Sequence, residues 1–186
     1  TNPFALTEGF TGPEQPAGMA TQYDEELQSW SAPFIMAPIN TKNIHRSNFL
    51  LGHQYGEDFR YDEMLLTGDG DQGKAAADYV AKDDSVANSD LQPGEGPTKE
   101  ERENGNYDAI FAGETQDGEL MISSVQGDRD PGYGSTSKML AEAATCLLVN
   151  PDLASGGLWT PAAAMGDALM ARLQKHAGLT FQIEKG

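Results

Sequence analysis

The run Gly68-Asp69-Gly70-Asp71-Gln72-Gly73 carries GxGxxG spacing, and Lys74 brings it close to a P-loop. Such a loop works by turning backbone N–H groups toward an anion at a helix start. Asp69 and Asp71 would set negative charge against that anion, and Ala75 stands where a P-loop needs Ser or Thr for magnesium. Residues 84–93 also lack the apolar run of a second buried strand. The run therefore reads as a turn. Ser135-Thr136-Ser137-Lys138 fits SxxK, in which a lysine one helical turn on activates a serine hydroxyl. Its companion motifs SDN and KTG are absent, so a self-capped helix start is the stronger reading. The longer segment 127–138 leaves a strand, crosses Gly132-Tyr133-Gly134 and enters a helix. Its glycines let backbone approach a ligand, the helix start offers N–H groups to an anion, and Lys138 adds charge. A tight connection with Tyr133 as a packing lid accounts for the same residues. His45, His53 and His176 show no metal-ligand spacing, and neither HExxH nor CxxC occurs, so no metal is expected.

The elements that must hold these residues follow from periodicity. Residues 1–32 are loop-rich. Residues 33–51 predict a helix with Pro33 in its first turn; Asn40, Asn43, Arg46 and Ser47 form one polar stripe, and Ile35, Ile39, Phe49 and Leu50 serve the apolar side. Pro38 must kink that helix or delay its start. Residues 59–67 predict a strand. Residues 68–97 read as a polar surface insertion with a short helix near 74–81, and 98–103 as a short acidic helix. Residues 107–113 and 119–126 predict a hairpin about Asp117-Gly118. Residues 135–149 predict a helix that buries Met139, Leu140, Ala143, Ala144, Leu147 and Leu148. A further helix opens on Thr160 and Pro161, faces inward with Met165, Leu169 and Leu173, and ends at Gly178. Alternation over 179–184 predicts a last strand. The sum is one α+β domain over 1–186: a largely antiparallel sheet with helices packed on one face, lacking a Rossmann domain.

Charge excludes some partners. Twelve Lys and Arg against 29 Asp and Glu give a net charge of −17, which repels nucleic acid and anionic membranes. No apolar run approaches the ~18 residues of a membrane span. Cys146 is the only cysteine, so no intrachain disulfide can form; it reads as a small core residue in a reducing, cytoplasmic setting. The chain opens on Thr1 amid Pro and Gly, like the interior of a longer protein.

Several segments in order carry a family pattern: Pro33-Phe34-Ile35-Met36-Ala37, Asn40-Thr41, Arg46-Ser47-Asn48, Tyr55-Gly56, Phe59-Arg60-Tyr61, Gly94-Glu95-Gly96-Pro97, the run from Asp130 to Glu142, and Gly156-Gly157 with Thr160-Pro161-Ala162-Ala163-Ala164-Met165-Gly166. Together they resemble the saccharopine-dehydrogenase-like oxidoreductases, closest to the branch that includes trans-acting enoyl reductases. Pro38 departs from the small helix-former usual there. The resemblance implies an N-terminal Rossmann domain that binds NAD or NADP, followed by a substrate and dimerisation domain, of which only the second is present here. The intact enzyme would use NAD or NADP, and this chain alone would bind neither. Its expected partners are a small-molecule substrate, the missing N-terminal nucleotide-binding domain and a second copy in a homodimer. Candidate substrate contacts are Asn40 to orient a carbonyl, Arg46, Arg60 and Lys138 to hold an anion, Tyr55 and Tyr133 as proton donors or lids, and Thr136 beside them; no catalytic role is assigned. Two other classes stay open: a non-catalytic dimerisation or scaffold domain, and a serine hydrolase built on Ser135 and Lys138.

Overall fold

A hairpin of β1 (Gln22–Asp24) and β2 (Ser29–Pro33) turns where Asp24 Oδ1 accepts from the N–H groups of Glu26 and Leu27. The computed structural model describes residues 2–83 and 95–185, and the chain divides into two units, 1–90 and 91–186. In the first unit, β3 (Met64–Gly68) adds to β2, giving the antiparallel order β1-β2-β3. The strand expected over 59–67 is thus shorter and later. Helix α1 (Ala37–Leu50) begins after Pro33, which closes β2, and carries Pro38 in its first turn. Pro38 therefore delays the helix rather than kinking it, because a first-turn proline gives up only an N–H that has no intrahelical partner. Helix α2 (Gly70–Val80) packs on β2 and β3, with Ala77 fully buried. Any Cβ on Gly73 would overlap the Gly68 carbonyl, so glycine is what permits that approach. Part of the expected polar insertion is therefore a packed helix; its residues 84–94 lie outside the described residues.

The faces of α1 depart from the expectation in part, with Phe49 and Leu50 half-buried and Asn43 exposed as expected. Its buried residues are His45, Ser47 and Asn48, while Ile35, Met36 and Ile39 are exposed. Hydrogen bonds make this polar burial tolerable. Ser47 Oγ donates to Asn43 O, and Asn48 both donates to Gly56 O and accepts from Tyr55 N.

In the second unit α3 (Lys99–Asn104) opens with a capping box between Thr98 and Glu101. β4 (Tyr107–Glu114) and β5 (Leu120–Gly127) form the expected hairpin, in register from Tyr107 opposite Gly127 to Glu114 opposite Leu120. β6 (Leu179–Lys185) adds to β5. Helices α4 (Gly134–Val149) and α5 (Pro161–His176) pack together around Cys146, Ala164, Met165 and Leu169, with Ala143 and Leu173 against them. Arg172 Nη2 lies 2.6 Å from Glu142 Oε2, an ion pair that ties the two helices. Thr160 caps α5 with Pro161 following, and Gly178 ends it at φ +74°. Gly166, at φ 43° and ψ −126°, breaks the helical geometry of α5 near its middle.

The α+β expectation holds, with the strands forming two three-stranded sheets, each antiparallel throughout. One packing expectation does not hold. Leu140 is 71% and Leu148 80% exposed, and Leu147 and Ala144 are exposed too. Only the Ala143–Cys146 side of α4 meets α5, so the broad apolar stripe read from the sequence has a partner on one flank alone. Among the described residues no helix is long and apolar enough to cross a membrane.

Candidate functional site

Four of the expected substrate contacts lie in the first unit, on α1 and the loop that follows it. Asn40 Nδ2 donates to Glu63 Oε2 at 2.8 Å, and the Tyr61 hydroxyl donates to Glu63 Oε1 at 2.9 Å. Burial, then the Glu63 hydrogen bond and the charges of Glu63 and Asp62, push the Tyr61 phenol well above its ordinary value. It stays protonated at neutral pH and acts as a donor. Burial and the nearby charge of Asp24 raise Asp62 as well. Arg46 Nη1 donates to Leu6 O at 3.0 Å, and its guanidinium lies 5.8 Å from the centre of the Phe49 ring. Tyr55 is exposed, with its ring 5.5 Å from Phe59. Arg60 is exposed and lines a shallow open groove with Glu14, Gln15, Pro16 and Ala17.

Gln15 joins these pieces. Its Oε1 accepts from Tyr61 N at 2.9 Å and lies 3.1 Å from His45 Nε2; its Nε2 donates to Pro13 O and Phe59 O. Sequence reasoning missed Gln15 and Glu63. For Glu63 a weak signal existed, since a carboxylate two residues after Tyr61 shares its face on an extended segment. For Gln15 there was none, because its partners lie up to 46 residues away.

The Gly68–Gly73 turn has the strand, turn and helix of a dinucleotide loop, yet the group does not fit it. Asp69 caps α2 with its own carboxylate, 2.6 Å from Gly70 N, and takes a hydrogen bond from Tyr23; Asp71 adds charge in the first turn. The strand ahead of it is antiparallel to its neighbour. A pyrophosphate would meet two carboxylates where it needs N–H groups.

In the second unit the 127–138 segment corrects another expectation. The first N–H of α4 and the two before it are already taken: Asp130 accepts from Gly132, Tyr133 and Gly134 N–H at 3.0, 2.9 and 2.6 Å. The Tyr133 N–H bond foremost, with those from Gly134 and Gly132 and the charge of Arg102, holds the Asp130 carboxyl below its ordinary range. The chain's own carboxylate thus lies against the N–H groups that the sequence reading offered to an anion. Lys138 Nζ is drawn to Asp128 at 2.8 Å and to Ala177 O at 3.2 Å. Ser135 is fully buried, with its hydroxyl 2.9 Å from that of Tyr107. The ring of Tyr107 crosses Gly127, where any Cβ would overlap it. The SxxK pair is therefore split between two separate contacts, and its serine is closed to substrate. Thr136 donates to Pro131 O at 2.7 Å. Tyr133 is exposed and its ring lies over Gly96.

No family model matches the chain, and no solved structure matches it. Among proteins compared by sequence, it is 35% identical over 190 residues to a protein of Mycobacterium tuberculosis named "Putative trans-acting enoyl reductase", covering 91% of this chain and 45% of that one. It is 30% identical over 199 residues to the trans-acting enoyl reductase of Mycobacterium ulcerans, covering 92% and 47%. It is 32% identical over 163 residues to that of Mycobacterium bovis, covering 77% and 39%. The chain is thus similar to mycobacterial proteins of that name over most of its own length, and spans less than half of theirs.

Proposed function

We propose that this chain is the substrate-binding and dimerisation part of a longer cytoplasmic, NAD(P)-dependent, saccharopine-dehydrogenase-like oxidoreductase that reduces an enoyl group. The likeness to trans-acting enoyl reductases over nine-tenths of the chain carries the proposal. Reducing an enoyl double bond adds hydride to one carbon and a proton to the other, with charge developing on the conjugated carbonyl. The nucleotide belongs to the remainder of the longer protein, since the Gly68–Gly73 turn does not suit it. Substrate contact is assigned to the exposed Arg60 and Tyr55 of the first unit. Asn40 and Arg46 hold the segments of that unit, and Thr136 and Lys138 hold the 127–138 segment. The exposed apolar residues of α4, and Phe111, Met121 and Ile183 on the β4-β5-β6 sheet, support contact with further protein surface, either the nucleotide-binding domain or a second copy. A non-catalytic scaffold role is the second reading, favoured by the internally satisfied 127–138 turn. The serine-hydrolase reading is withdrawn on the burial of Ser135.

Calorimetry of the chain alone with NADH and NADPH should show no saturable binding. Oxidation of either by the longer protein should be followed with an enoyl thioester. Arg60→Ala should lower kcat/KM about ten- to hundred-fold, the worth of a charge-assisted contact, and leave the melting temperature unchanged. A longer protein that binds nucleotide but reduces no enoyl acceptor would remove the activity proposed here.

A further inference from the structure

Two histidines of the first unit lie beneath one segment of chain. His45 is 3% exposed, with its ring centre 4.5 Å from that of Phe4; the His53 ring is 4.3 Å from Phe10. Phe4 and Phe10 meet edge-on at 5.9 Å, and Gly12 presses on the Phe4 ring. Thr7 Oγ1 lies 3.0 Å from Phe4 O and 2.9 Å from Phe10 O, so the segment is tied to itself. Its polar attachments to the rest of the unit include Arg46 Nη1 to Leu6 O and the bonds of Gln15.

The Gln15 network fixes the state of His45. Gln15 Oε1 faces a backbone N–H and Gln15 Nε2 faces two carbonyls, so the amide orientation is set, and His45 Nε2 must carry the hydrogen that this oxygen accepts. A second proton would go to Nδ1 and place a charge between aromatic rings. The surroundings offer that charge little. The segment faces His45 with Phe4 and Gln15, neither of which titrates. The loop after α1 faces it with Phe59, and with Tyr61 through the shared Gln15 oxygen. α1 supplies Arg46, the next residue and itself a cation. Burial holds the imidazole below its ordinary value of 6.5.

We propose that the segment 2–15 is an acid-released strap: proton uptake by His45 detaches it from α1 and uncovers the His45 ring. This does not depend on the enzymatic reading. The direction follows from linkage. The neutral ring belongs to the closed form, so closure is fully favoured above about 6.5 and weakens as pH falls from there toward the lower value of the closed state. His53, at φ 62° and with a buried Nδ1 that lacks a hydrogen-bond partner, would be freed with Phe10.

The test is amide hydrogen exchange on the whole chain between pH 7.5 and 5.0, corrected for chemical rate, alongside an NMR titration of His45. The Thr7 and Phe10 amides, which bond to Phe4 O and Thr7 O, should lose protection by up to about ten-fold per pH unit, the limit for one linked proton, while the β4–β5 amides keep theirs. His45→Phe keeps a ring between Phe4 and Phe59 and cannot titrate, so Thr7 and Phe10 should be equally protected at both pH values. Unchanged protection in the parent overturns the strap, as does loss of protection in His45→Phe to the parent's extent. The parent also decides without any variant: protection lost while His45 is still neutral overturns the proposal, and loss that tracks its titration supports it.

Discussion

Gln15 makes contacts to four groups from three parts of the first unit, and replacing it should show what a single polar junction is worth. Gln15→Leu leaves Tyr61 N–H, His45 Nε2–H and the carbonyls of Pro13 and Phe59 to find other partners. A loss of about 2–4 kcal/mol is expected, from one to two buried groups left unsatisfied, measured by urea denaturation. Tyr107 and Ser135 offer a cleaner pair. Tyr107→Phe and Ser135→Ala should each cost about 1–2 kcal/mol, and the double variant less than their sum, because each single change strands the other hydroxyl. Asp130 sets a pH dependence at the same scale. Its folded value is depressed, so what it contributes is present above about 3.8 and is lost as pH falls through the lower folded value. Asp130→Asn should flatten the acid limb of a thermal-melt profile, and an unchanged limb would assign it to other carboxylates. None of these three junctions was legible in the sequence, since each joins residues whose spacing carries no motif.

At the scale of elements, local signals were read well and faces were not. Asp117-Gly118 predicts the β4–β5 hairpin, and Thr160-Pro161 with Gly178 bounds α5, because turn and cap preferences act within a few residues. The polar burial of α1 was missed because His45, Ser47 and Asn48 are paid for by hydrogen bonds, which periodicity cannot see. On α4 the apolar stripe was real but only partly covered. Leu148→Lys, or Leu140→Lys, should therefore change the stability of the chain by less than about 0.5 kcal/mol, as substitutions at exposed sites do. A large drop in either melt would show that the stripe is packed within the chain in solution.

For the whole molecule, charge and exposed apolar surface pull in opposite directions. Two copies at −17 each repel, so any self-association should be weak at low salt and strengthen as added salt shortens the Debye length from about 30 Å at 0.01 M to about 3 Å at 1 M. Light scattering across that range should show mass rising with salt, and a monomer throughout would argue against the homodimer. The sequence by itself determined the later element types, the α+β class and the likeness to enoyl reductases, because helix caps, hairpin turns and ordered motifs are written in near neighbours; the β1–β2 hairpin, inside the stretch read as loop-rich, was not legible. Only the tertiary structure decided that Asp130 fills the helix start a ligand was expected to occupy, that Ser135 is sealed under Tyr107, and that Gln15 locks His45 in place. Burial and hydrogen-bond partners are set by which distant residues arrive beside a group. Gln15 and His45 are 30 positions apart, and Tyr107 and Ser135 28, so no local pattern could announce either meeting.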